Sequence, residues 1–175
     1  MNRIIKSFSW FFIILGLLLL VWLAFTFAMG TDRPLYVVSS SSMEPTLRVG
    51  DIILVQKVPF DRIKEGDIMV FQKGSLPIIV HRVHEVIEGP SQKLIITKGD
   101  NSQTNPSPDY PGLLPSPIKE TDYLGRVDGL VPYVGFLTGI FPPPLNIILI
   151  VIILALIVLS EIFPNKKSEE VSIEN

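Results

Sequence analysis

Residues 7–31 carry no charge, and within that run residues 8–29, "FSWFFIILGLLLLVWLAFTFAM", are apolar almost throughout. As a helix this segment would be about 33 Å long at ~1.5 Å per residue, enough to cross the hydrocarbon of a bilayer. A cleaved signal peptide has an apolar core of only ~7–15 residues, so the run reads as a retained anchor. A second uncharged stretch, 129–160, is interrupted by Pro142-Pro143-Pro144 and continues as "LNIILIVIILALIVLSEIF". Residues 145–163 would reach about 28 Å as a helix, with Glu161 drawn toward the headgroups. Two spans leave one stretch free to fold in water.

Flanking charge orients the chain. Arg3 and Lys6 precede the first span, Lys166 and Lys167 follow the second, and Asp32 and Arg33 cancel each other. Cations gather on the cytoplasmic side, so both ends are expected inside and the middle outside. The expected division is 1–30 as N-terminal anchor, 31–141 as extracytoplasmic domain, 142–164 as C-terminal transmembrane helix and 165–175 as cytoplasmic tail. The chain has no cysteine, so the outer domain must hold together by its own core. A net charge of −2 without a basic run argues against nucleic acid and leaves a peptide or the lipid bilayer as partner.

Between the spans the pattern is that of strands and turns. "DIILVQKV" (51–58), "DIMVFQ" (67–72), "PIIVHRVHEVIEG" (77–89), "KLIITKG" (93–99) and "YLGRVDGLV" (123–131) are short, rich in β-branched residues and bounded by Gly, Pro or Asp. The fold class is mainly β, a barrel or sandwich. Gly50-Asp51, Gly66-Asp67 and Gly99-Asp100 recur at strand edges, first of all as turn chemistry. Residues 105–117, "NPSPDYPGLLPSP", are expected to form a stiff loop without helix.

Four consecutive serines, 39–42, stand before Met-Glu-Pro. A serine tract is ordinarily a solvated loop, and a nucleophilic serine needs a base. The chain has two histidines, His81 and His84, both in "IIVHRVHEV". Strand alternation puts Ile79, His81, Val83 and Ile87 on one face and Val80, Arg82, His84 and Val86 on the other. A histidine among apolar residues is more often a hydrogen-bonded core residue than a catalytic one, so composition leaves its role open.

The segments "SSSSMEPTLRVGDIILV", "GDIMVF", "IIVHRV", "TKGDNS…NPSPDY" and "LGRVDGLVPYVG" follow one another at close spacing. Over residues 37–136 they resemble type I signal peptidases of the archaeal and endoplasmic-reticulum kind. The resemblance implies a membrane-bound serine endopeptidase that removes signal peptides from secreted preproteins after small residues at −1 and −3, without metal or other cofactor, with the protein-translocation machinery as a further candidate partner. It makes Ser42 the nucleophile and, by likeness to the bacterial type, places Ser40 in the oxyanion hole beside the Ser42 backbone N–H. Ser39 and Ser41 are then loop or strand residues. His81 stands where bacterial enzymes carry a lysine base; Lys57, Lys64 and Lys73 match no such motif and read as solvated. The acidic partner of His81 is expected to be Asp109, with Asp100 as the other candidate. Glu44 and Asp67 match family positions without a required role, Pro45 and Gly50 set the turn that presents Ser42, and Met43 packs under the site. Two other readings stand beside this one: a self-cleaving repressor-type protease, which would carry a DNA-binding region and a lysine base, and a non-catalytic, membrane-anchored peptide-binding β domain.

Overall fold

The computed structural model describes residues 2–89, 92–109 and 117–135, together with helical positions 148, 149, 152, 153 and 156. The first element, α1 (Asn2–Met29), is one uninterrupted helix. It has no proline, and it begins earlier than the apolar run because Arg3 and Lys6 are good helix formers. Its end is closed where Gly30 N–H donates to Phe27 O (3.1 Å) and Thr31 N–H to Thr26 O (3.3 Å), the paired bonds of a Schellman cap. Residues Phe12–Met29 are long and apolar enough to cross a membrane, and none of them is buried. An apolar helix whose residues stay unburied has lipid as its compatible surroundings.

Residues Phe25–Gly139 form one compact unit. It contains β1 (Leu35–Val37), β2 (Ile52–Gln56), β3 (Ile68–Phe71), β4 (Ile79–Glu88), β5 (Lys93–Lys98) and β6 (Tyr123–Val131), with 3-10 turns at Phe60–Arg62 and Glu120–Asp122. All pairings are antiparallel, in the order β1-β2-β6-β3-β4-β5. The five segments expected as strands are β2 to β6. The remaining strand, β1, has only three residues and escapes a search for alternation.

Both faces of the sheet are buried, and β3 shows how. Met69 and Phe71 join Phe60, Ile63, Val83, Ile95, Ile118 and Tyr123 in one apolar cluster. Val70, one residue out of phase, joins Val38, Met43, Leu47, Ile53 and Val55 in a second. A strand covered on both sides reads as a continuous apolar run, as "IMVF" does. Full burial of a side chain such as Phe71 contributes about 2–3 kcal/mol.

The expected face assignment for β4 holds only in its first half. Val83 pairs with Thr97, but the next pair is Glu85 with Ile96, so His84 is the extra residue of a β-bulge. Beyond it the faces exchange: Val86 packs against the Val83 cluster, while Ile87 is 37% exposed. Of the expected C-terminal helix, 142–164, only the five positions named above are described, and they are helical and exposed. The rest of that helix, the tail 165–175 and residues 110–116 of the proline-rich loop lie outside the described residues.

Candidate active site

The serine loop leaves β1 and turns back into β2. Val38 N–H donates to Asp51 O (2.9 Å) and Gly50 N–H to Val38 O (2.9 Å), which closes the segment 38–51 at its base. Within it Glu44 N–H reaches Ser41 O (3.1 Å) and Leu47 N–H reaches Met43 O (2.9 Å), while Met43 and Leu47 are buried. Met43 therefore anchors the turn in the core, as expected. Asn101, three residues beyond the end of β5, grips the loop, its N–H donating to Ser42 O (2.9 Å) and its Nδ2 to Ser41 O (3.0 Å).

Ser42 and Ser40 hydroxyls lie 3.3 Å apart. Ser39, Ser40, Ser42 and His81 line one groove of about 580 Å³, whose apolar wall includes Val38 and Ile79. Among the described residues no lysine lines it, Ser42 and His81 are not hydrogen-bonded to each other, and the Ser42 backbone N–H has no acceptor.

His81 is 5% exposed, and its ring stands edge-on to Phe71 with centroids 6.4 Å apart. Its Nδ1 is 2.6 Å from Asp109 Oδ2. A carboxylate only accepts, so Nδ1 carries the hydrogen and the neutral ring keeps its lone pair on Nε2. Asp109 is 3% exposed and doubly tied to Thr97: its N–H donates to Thr97 O (2.8 Å), and Thr97 Oγ1 donates to its Oδ2 (2.7 Å).

Asp100 is engaged elsewhere. Arg82 grips it through Nε (2.8 Å) and Nη2 (2.6 Å), and Thr46 Oγ1 donates to Oδ2 (2.5 Å). Burial alone pushes the Asp100 carboxyl up, but the hydrogen bonds from Arg82 and Thr46 and the nearby guanidinium outweigh it and hold the pKa below its ordinary value. The three Gly-Asp pairs are thus not equivalent. Asp51 accepts from Arg48 N–H (2.8 Å) and Asp67 from Lys64 N–H (3.0 Å), each closing a turn around a glycine at φ 89°. Asp100 instead joins the serine loop, through Thr46, to β4.

Lys57 and Lys64 are both exposed, as expected, and Lys57 is also tied back to the sheet. Its Nζ donates to Tyr123 O (2.6 Å) and sits 4.5 Å from the centroid of the Tyr123 ring; burial lowers its pKa. Lys73 Nζ lies 3.5 Å from Pro117 O. Thr46, Arg82, Thr97, Asn101 and Asn105 carry no sequence signal of their own beyond position: Arg82 lies beside His81 and Asn101 beside Asp100, while the other three adjoin no candidate residue.

A serine and a histidine lining one groove, with a buried aspartate hydrogen-bonded to the histidine, are the parts of a serine hydrolase. The profile of the family "Signal peptidase, peptidase S26" matches residues 5–104. The human Signal peptidase complex catalytic subunit SEC11C is 35% identical over 133 residues, covering 73% of this chain and 67% of that protein. The SEC11 catalytic subunits of Zygosaccharomyces rouxii and Lachancea thermotolerans are 33% and 35% identical over 119 and 120 residues, each covering 67% of this chain and 71% of the relative. The chain belongs to the signal peptidases of peptidase family S26, serine endopeptidases that act on signal peptides.

Proposed function

We propose that this chain cleaves preproteins with Ser42 as nucleophile, His81 as general base and then acid, and Asp109 as the group that orients His81. The observation that carries the reading is the 2.6 Å approach of His81 Nδ1 to Asp109 Oδ2, with Ser42 in the same groove. Ser42 Oγ attacks the scissile carbonyl and yields its proton to Nε2 of His81. The oxyanion of the tetrahedral intermediate accepts hydrogen bonds from the Ser40 hydroxyl and the Ser42 backbone N–H. Collapse expels the amine of the mature protein with the proton from His81, and water then releases the acyl group by the same relay. Asp100 supports the site by holding Arg82 and the serine loop rather than the imidazole.

An extended substrate presents its −1 and −3 side chains to the same wall. The groove beside Ser42 is bordered by Val38 and Ile79, which favours small, uncharged residues there. The sheet buried on both faces supports a barrel- or sandwich-like domain over 31–141, held between the anchor 1–30 and a second transmembrane helix over 142–164. Arg3, Lys6, Lys166 and Lys167 favour cytoplasmic termini, a cytoplasmic tail at 165–175 and an extracytoplasmic catalytic domain in the cell membrane. The relatives are named as subunits of a complex, so partner subunits and the translocation machinery are the protein neighbours proposed for it. A self-cleaving repressor-type protease would call for a lysine in the groove, where His81 stands.

The test is cleavage of a preprotein by the purified full chain and by Ser42→Ala. Loss of cleavage in a folded Ser42→Ala protein is the expected result; an active one would remove Ser42 from the mechanism. A bulky aromatic residue at −1 of the substrate should also block cleavage.

A further inference from the structure

Among the described residues, one carboxylate oxygen of Asp109 carries two hydrogen bonds and the other carries none. Both His81 Nδ1 (2.6 Å) and Thr97 Oγ1 (2.7 Å) meet Oδ2, while Oδ1 is buried with no partner among those residues. Thr97 is fully buried, at 0% exposure. Its place follows from the sheet: Thr97 pairs with Val83, which shares a face with His81, and the bulge at His84 begins one residue later. The Thr97 side chain therefore stands next to the imidazole on the core face of β5.

We infer that Thr97 is a positioning residue for the hydrolysis, acting through Asp109 to fix which carboxylate oxygen faces His81; this rests on the Ser42–His81–Asp109 reading above. Without the hydroxyl, His81 is the one side chain among the described residues that distinguishes Oδ1 from Oδ2. The carboxylate can then rotate, and the imidazole loses the rigid acceptor that holds Nε2 toward the groove. A hydroxyl whose only purpose was to satisfy a buried acceptor would be expected on the unpartnered Oδ1. Instead it doubles the bond at the oxygen that His81 uses, and the backbone bond from Asp109 N–H to Thr97 O (2.8 Å) locks the two residues in register.

The experiment compares Thr97→Val, which keeps the branched shape and removes the hydroxyl, with Thr97→Ser, which keeps the hydroxyl. Single-turnover cleavage of a preprotein by the full chain, kcat, KM and thermal stability are measured for each. Thr97→Val is expected to lower kcat about 10-fold with KM nearly unchanged, with Thr97→Ser close to wild type. Wild-type turnover in Thr97→Val, or equal losses in both variants, would overturn the inference. Should Thr97→Val fail to fold, Thr97→Ala takes its place. In an Asp109→Asn background either variant should cost nothing further, and an undiminished 10-fold loss there would show that Thr97 does not act through Asp109. A fully active Asp109→Asn protein would sink the underlying reading itself, whereas a dead Asp109→Asn beside an unimpaired Thr97→Val would sink only the role of Thr97.

Discussion

His81 and Asp109, 28 residues apart in sequence, meet at 2.6 Å through Nδ1 and Oδ2, and both are buried. Asp100, 19 positions after His81 in the chain, is held by Arg82 and Thr46 instead. The two aspartates should therefore fail differently when changed to asparagine. Asp109→Asn is expected to cut turnover by up to ~10⁴, the loss seen when the equivalent carboxylate is removed from a serine-protease triad. Asp100→Asn should lower stability more than turnover. Rates and melting temperatures measured on both variants decide it, and an active Asp109→Asn beside a folded, inactive Asp100→Asn would exchange their roles.

The histidines give a second contrast. His81 sits under Phe71 in the groove wall, while His84 is the exposed bulge residue. His81→Ala should be folded and nearly inactive; His84→Ala should retain most of its activity. Cleavage rates and melting curves of the two variants beside wild type check both points.

The alternation and β-branched content of residues 51–131 are enough to place five of the six strands found among the described residues, because each is long enough to show its period. The three residues of β1 are not, and β1 is recognisable only through its partner β2. The exchange of faces at His84 was also hidden: a bulge leaves no mark in an alternating string, so Val86 and Ile87 were assigned to the wrong sides. Ser42, His81 and Asp109 came from the resemblance of the quoted motifs, not from periodicity. Thr97 and Thr46 were invisible because a threonine in a strand needs no explanation beyond its propensity. Their importance lies in which carboxylate they touch, and that is fixed by register across the sheet.

Close packing behind the serine loop yields a further test. A Cβ added at Gly99 would stand 2.6 Å from Ser42 O and 2.7 Å from the Asn105 side-chain carbonyl group. Ser42 O is already the acceptor for Asn101 N–H, so the loop cannot retreat without breaking that bond. Gly99→Ala should thus displace Ser42, destabilise the domain by about 1–3 kcal/mol and reduce turnover at least tenfold. A melting curve and a single-turnover assay are sufficient, and wild-type behaviour in both would show that the loop can give way.

The Arg82–Asp100 pair should make stability depend on pH in one direction. The pKa of Asp100 lies below its ordinary value, so the unfolded chain takes up a proton there before the folded chain does. The stabilisation is complete above the unfolded carboxylate value of about 3.9 and is lost as pH falls below it through the folded value. Because the pair is only partly buried, its worth at neutral pH is about 1 kcal/mol and should shrink in high salt. Melting temperatures of wild type and Asp100→Asn should accordingly differ by a few degrees at pH 7 and converge toward pH 3, since titration of every other carboxylate is common to both proteins. A gap that stays constant with pH would mean that Asp100 is stabilising through shape and neutral hydrogen bonds, and that the charge on Arg82 contributes nothing to holding the serine loop against β4.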